Sequence, residues 1–280
     1  MKGPIKNMTK NSKLALFFFV AMTAVSTVIR YFQSVLSIDA ETGFYYEDSG
    51  FLGVLLYIVL GVTAVGLVLL AFLDRKKGSA AFTKKAELFT SKQNSISGVL
   101  FLIAGCGCFY SVISMFGGGL DPMSLIGSVI ASAAFLMVGF IMLGNKTLKP
   151  ACGYILLVLT VYYTVRSASL FMSTLIITRI SESLIELLVY VSLVLFLLNL
   201  GRIYSRNETK LTRVKTIALG FICSSMCLSM SIARLIGVIA APDVISPIFV
   251  SYPIEYFTIG ILTAGTTILL YAKPSVISID

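Results

Sequence analysis

The sequence predicts an all-α, polytopic membrane protein with about eight transmembrane helices, and two observations lead to that prediction. Of the 280 residues, 57% are hydrophobic and only 12% are charged, and the mean hydropathy is +0.94; soluble domains carry about 25% charged residues. The apolar residues also fall into runs of about 20 or more, which is the length that a helix needs to cross a hydrocarbon core about 30 Å thick. We therefore treat 1–280 as a single integral membrane domain.

Eight apolar runs follow one another along the chain. They cover 14–38, 51–73, 95–116, 124–144, 151–178, 181–204, 216–241 and 244–272. The break "GGGLDP" at 117–122 combines glycines, an aspartate and a proline, which all disfavour continuation of a helix. The lysine-rich start of the first run resembles a secretory signal, but its apolar pattern continues to Ile38, beyond the length of a signal core. We expect the first helix to be retained.

The basic residues predict the orientation. Eighteen of the 22 lysines and arginines lie in the two tails, in the connections after even-numbered runs, or at the adjoining helix ends, whereas the other connections hold only Arg179. Cytoplasmic loops are enriched in these residues. We therefore predict four helical hairpins in the plasma (cytoplasmic) membrane, with both termini in the cytoplasm. This topology accounts for the net charge of +9 and leaves no need for a nucleic-acid partner.

Two polar connections suggest contacts at the membrane surface. The segment 76–93 repeats Phe82, Ala86 and Phe89 at helical spacing among lysines, as a helix lying on anionic lipid headgroups would; a solvated loop is the alternative. The segment 37–50 holds four acids and three aromatic residues. It would form a lid, a cation-attracting rim or merely a solvated turn on the outer side.

The hairpins suggest an internal repeat. Cutting the chain into 14–73, 95–144, 151–204 and 216–272 places a polar side chain at a matching depth in each leading helix. These side chains are Arg30, Tyr110, Arg166 and Arg234. Self-similarity at a regular spacing is the signature of duplication, and coincidence is the open alternative.

Arg166 is the most informative of these residues. It lies in "VYYTVRSASLF" with no acid within ten residues. Twelve further residues separate it from Thr178, about 18 Å of helix, so its side chain is too deep to reach the outer headgroups easily. For Arg30 and Arg234, snorkelling to the headgroups stays open. An intramembrane arginine usually faces the bundle interior or a wet cavity and is paired, and we expect this of Arg166.

The returning helices supply candidate partners. Glu182 and Glu186 lie one turn apart on the sixth helix and share a face. Glu255 follows Pro253, where a kink is expected in the eighth helix. Counting from the helix ends predicts that Glu255 contacts Arg234, and that Arg166 is balanced by Glu186 or Glu182 or meets an anionic ligand. A kinked helix beside an embedded charge is typical of transporter sites, and a structural ion pair beside an ordinary kink is the equal alternative.

These residues define the candidate solute-binding set. It comprises Arg30, Arg166, Arg234, Glu186, Glu255, Tyr110 and Tyr163. The favoured function is a permease or transporter-like protein with an outward-facing polar cavity for a small solute, and the arginines leave an anionic solute open. A non-transporting structural or signalling subunit of a membrane complex is the alternative. A membrane-embedded enzyme comes third.

The remaining chemistry is sparse. The chain has no histidine, which removes the commonest general base, and it carries no phosphate loop, H-E-x-x-H or G-x-S-x-G motif. The five cysteines suit apolar packing. Cys223 and Cys227, one turn apart, lack the further ligands of a structural zinc site, so we expect no metal and no cofactor. In the fourth helix, Ser124, Ser128 and Ser132 with Gly127 and Ala131 predict a close packing seam.

Overall fold

The computed structural model describes eight stretches of the chain, and all regular structure in them is α-helical. The described residues are 10–37, 50–76, 91–115, 122–144, 149–176, 180–209, 211–240 and 253–271. Their helices are α1 (Lys10–Leu36), α2 (Gly50–Lys76), α3 (Ser91–Met115), α4 (Pro122–Gly144), α5 (Pro150–Ile176), α6 (Ile180–Tyr204), α7 (Thr212–Ala240) and α8 (Pro253–Tyr271). Each is long and apolar enough to cross a membrane. The eight predicted helices are confirmed, and they indicate a multi-pass membrane protein.

Several helices begin before their apolar runs. α1, α3 and α7 each start four residues earlier than predicted. Hydropathy marks only the part of a helix that lies in hydrocarbon, whereas backbone hydrogen bonding continues into the headgroup region through good helix formers such as lysine, arginine and glutamine.

The eighth predicted run is described only in part. α8 begins at Pro253, nine residues inside that run, and 241–252 lie outside the described residues. The kink expected at Pro253 involves the turn before this proline, so it stays a prediction.

Six helices form a closed ring. From α3 to α8, each helix packs against the next one along the chain, and α8 packs back against α3. α1 and α2 pack on each other and both contact α7. Large apolar side chains cover the outside of the bundle, for example Phe17 at 71% and Phe51 at 73% exposure. Soluble proteins rarely expose such surfaces, so this face suits contact with lipid.

Two side-chain contacts define one end of the bundle. Ser12, early in α1, donates to Asp74, late in α2, at 2.7 Å. Asn94, early in α3, donates to the carbonyl of Met142, late in α4, at 3.0 Å. We call the end of the bundle that holds these two contacts the near end, and the opposite end of the bundle the far end. The connections within the predicted hairpins lie outside the described residues, so the hairpin arrangement, the sides of the termini and the repeat stay predictions.

Small residues allow close helix packing, as the seam in the fourth helix predicts. Ser128, Ala131 and Ser132 of α4 are buried, and the Ser132 hydroxyl donates to the carbonyl of Gly105 in α3 at 3.0 Å. A Cβ at Gly127 would lie 2.1 Å from the Tyr162 ring of α5, so only glycine fits that position without a shift of the ring. The side chain of Ser124 lies outside the described part.

A file of buried aromatic rings runs along the ring interior. Tyr190, Tyr163, Phe135, Phe101 and Tyr204 follow one another with centroids 5.9, 6.5, 6.2 and 6.5 Å apart. All five are buried. Tyr190 and Tyr204 both belong to α6, and their separation of 14 positions corresponds to about 21 Å of helix. This aromatic file therefore fills the interior from the far half to the near end.

Candidate functional site

The centre of the site is an ion pair between α5 and α8. Nη1 of Arg166 lies 3.2 Å from Oε1 of Glu255, and the two side chains are only 14% and 2% exposed. The same Nη1 donates to the hydroxyl oxygen of Tyr162 at 3.1 Å. Arg166 is therefore paired with an acid inside the bundle, in the far half.

One of the two predicted pairings is wrong, because Glu255 contacts Arg166 and not Arg234. The predicted balance of Arg166 by Glu186 or Glu182 stays a prediction. Counting depth along each helix cannot show how far a helix is rotated about its axis, and Glu255 in the first turn of α8 reaches across the ring to α5. The side chain of Glu182, the other acid named as a partner, lies outside the described residues.

Two tyrosines join the second acid to this pair. The Arg166 guanidinium lies over the Tyr190 ring, 4.8 Å from its centroid. The Tyr190 hydroxyl donates to Oε1 of Glu186 at 2.9 Å, and the Tyr256 hydroxyl of α8 donates to the same oxygen. The two hydroxyl oxygens are 3.0 Å apart. We call Arg166, Glu255, Glu186, Tyr162, Tyr190 and Tyr256 the polar network.

Tyr163 lies directly beneath the polar network. It is fully buried, stacks on Tyr190 with centroids 5.9 Å apart, and has its hydroxyl oxygen 3.8 Å from Sγ of Cys108 in α3. Because Tyr163 also continues the aromatic file toward Phe135, it separates the polar far half of the ring from the apolar interior below.

Arg234 lies beside the polar network. It is half-buried on α7 and interacts electrostatically with Tyr256, Glu186 and Tyr190. With Arg166, Glu186 and Glu255 it forms a set of two cations and two carboxylates, so these four charges sum to zero. The structure thus brings together five of the seven predicted site residues, counting Tyr163.

Arg30 and Tyr110 lie elsewhere. Arg30 is 1% exposed and its Nη1 donates to Oε1 of Gln33 on the same helix. α1 packs against α2 and α7, outside the ring, and the described contact of Arg30 is with its own helix rather than with the polar network. Tyr110 is 51% exposed on α3, on the outside of the bundle. The repeat of depth along the chain therefore does not place all four side chains in one site.

One oxygen of the ion pair is left without a hydrogen bond. Oε2 of Glu255 is buried and has no hydrogen-bond partner among the described residues, while Oε1 accepts from Arg166. A carboxylate can accept about four hydrogen bonds, so Glu255 has unused acceptor capacity.

The sequence analysis missed Tyr190 and Tyr256. Both had a local signal. Tyr190 lies four residues after Glu186, the spacing at which side chains meet on one helix face, and Tyr256 follows Glu255 directly. Aromatic residues are common in apolar helices, so the sequence alone did not separate these two from core packing.

Other predicted features have no place in the polar network. Cys223 and Cys227 have their sulfurs 4.0 Å apart, and in the part of the chain that the structure describes no three His, Cys, Asp or Glu side chains cluster as metal ligands would. The segments predicted as an interfacial helix and an outer lid fall almost wholly on 77–90 and 38–49, outside the described residues.

Comparisons of the chain with protein-family models, curated proteins and solved structures find no match. The geometry of the polar network is therefore the basis for assigning a function.

Proposed function

We propose that this multi-pass membrane protein is a transporter or permease-like protein that binds a small solute at the polar network. The observation that carries the proposal is the Arg166–Glu255 ion pair, 3.2 Å long and enclosed in the far half of the ring. Ionisable groups within membrane helices are costly and usually mark a substrate or ion pathway. Tyrosine hydroxyls and two further charged residues surround it, and one oxygen of Glu255 itself makes no hydrogen bond to a described residue; these groups suit recognition of a polar solute.

The proposal includes an orientation. The partition of loop lysines and arginines favours cytoplasmic termini in the plasma membrane, which puts the far end and the polar network on the outer side. The same partition favours contact of the inner connections with anionic lipid headgroups. The solute would then be captured from outside, at Arg166, whose side chain is the more exposed member of the ion pair.

A second candidate function has its own supporting observation. The groups of the polar network contact one another through the described hydrogen bonds, so the network would also serve as a structural clamp across the ring. A structural or signalling subunit of a membrane complex needs no more than this. The two functions differ in whether a solute alters the stability of the purified chain.

Ligand-dependent thermal stabilisation tests the proposal. The purified protein is screened in detergent against classes of small solutes, and each stabilising solute is tested for uptake into proteoliposomes. Arg166→Lys keeps the charge but loses the planar fork of donors, so it should fold and bind the solute more weakly. Arg202→Lys, at an exposed residue of α6, is the matched control. Absence of stabilisation by every class, or stabilisation that Arg166→Lys leaves unchanged, would overturn the proposal.

A further inference from the structure

We propose that the solute is a zwitterion with a protonated amine, such as an amino acid, that inserts between Arg166 and Glu255. This inference rests on the proposed function and names its substrate class. The carboxylate of the solute would meet the guanidinium of Arg166, and its ammonium group would meet the carboxylate of Glu255.

Charge balance favours a solute with both signs. Arg166 and Glu255 form an ion pair with each other. A solute that enters between them must replace the partner of each, because a buried charge left without a partner is strongly unfavourable. An anion replaces only the partner of Arg166, and a cation only that of Glu255. A solute with both charges replaces the two at once and leaves the charge of the site unchanged.

Glu255 offers an acceptor for the ammonium group. Oε2 of Glu255 is buried and makes no hydrogen bond to a described residue, so an ammonium group would gain a bond there without breaking another.

The guanidinium of Arg166 suits the carboxylate of the solute. A guanidinium presents a planar fork that binds carboxylates through two parallel hydrogen bonds. Arg166 is 14% exposed against 2% for Glu255. A solute that arrives from the far end therefore meets the guanidinium first, and Glu255 closes on its ammonium group afterwards.

The test compares solutes that differ only in charge. The purified protein is screened by thermal stability and by calorimetric binding with the standard L-amino acids. For each stabilising compound, the analogue without the amino group and the methyl ester are then measured at neutral pH. We expect the parent zwitterion to bind at least about tenfold more tightly than either analogue, since a hydrogen bond to a charged group is lost in each case.

Variants locate the two charges. Glu255→Gln should weaken the zwitterion by at least about tenfold and bring its affinity near that of the analogue without the amino group. Glu208→Gln is the matched control, because Glu208 also forms an ion pair, with Arg213, but at the near end of the bundle. This variant should leave binding unchanged. If Glu255→Gln fails to fold, the analogue series on the unaltered protein still decides, and Glu186→Gln tests the neighbouring acid.

The outcomes separate the two proposals. One outcome is that the analogue without the amino group binds as tightly as the parent and that its binding takes up a proton. That result would overturn the zwitterion proposal but keep a solute-binding transporter in which Glu255 accepts the proton. Binding of anions alone without proton uptake would overturn the zwitterion in the same way. Failure of every solute class to stabilise the chain would overturn both proposals.

Discussion

Removing one partner of the Arg166–Glu255 pair should destabilise the protein far more than removing the second partner afterwards. The perturbation is a double-mutant cycle of Arg166→Met, Glu255→Gln and the two together. Methionine fills much of the space of the arginine stem without its charge, and glutamine keeps the shape of the glutamate and one acceptor oxygen. Each single variant leaves one charge enclosed in the ring without its partner.

The magnitude follows from the geometry. Unit charges 3.2 Å apart attract by about 5 kcal/mol at an effective dielectric constant of about 20. Breaking a buried pair by removing one partner costs about 3 to 5 kcal/mol. We expect each single variant to lose about that much unfolding free energy, and the double variant to lose no more than the worse single one. The coupling free energy would then be about 3 kcal/mol or more.

The assay is equilibrium unfolding in mixed micelles with increasing sodium dodecyl sulfate, followed by circular dichroism. Arg202→Met, at an exposed arginine of the same bundle, is the control and should change the unfolding free energy by less than about 0.5 kcal/mol. A double variant whose loss equals the sum of the single losses within about 0.5 kcal/mol would refute the pairing.

Two further predictions address the topology and the packing. In a cysteine-free background, single cysteines at Asp48 and Asp121 should react with an impermeant thiol reagent added to sealed cells, while those at Ser79 and Asn207 should not; labelling at Ser79 would contradict cytoplasmic termini. Gly107→Ala would place a Cβ 2.0 Å from Oγ1 of Thr258 and should cost about 1 to 3 kcal/mol in the same unfolding assay, because α3 and α8 must separate. Gly61→Ala meets nothing within 4 Å and should be neutral or stabilising by up to about 1 kcal/mol; equal losses for the two alanines would count against the α3–α8 contact.

The number of helices was predictable because the bilayer sets it. An apolar run must reach about 20 residues to span the hydrocarbon, and eight runs do so. The starts of α1, α3 and α7 were not predictable by the same means, since a helix continues into the headgroup region without any apolar signal. The eighth apolar run extends on both sides of Pro253, and its part before Pro253 lies outside the described residues.

The content of the site was predictable more readily than its pairing. The depth of Arg166, its lack of a nearby acid and the acids of the sixth and eighth helices identified the charged residues. Which acid meets which arginine depends on the rotation of each helix and on which helices adjoin, and neither is written in hydropathy. Glu255 faces Arg166 because α8 takes its place in the ring between α7 and α3 and projects its first turn toward α5.

The aromatic file has a consequence for leakage. An ion travelling from the polar network toward the near end would have to pass Tyr163, Phe135, Phe101 and Tyr204, whose side chains are buried and offer few hydrogen-bond partners. Removing an ion from water costs several kcal/mol even after relaxation of the protein, whereas a membrane potential of 100 mV supplies only about 2.3 kcal/mol per charge. A membrane that carries many copies of this protein in the described conformation should therefore keep its electrochemical gradient, and any passage of cargo along this route would require the helices themselves to move apart.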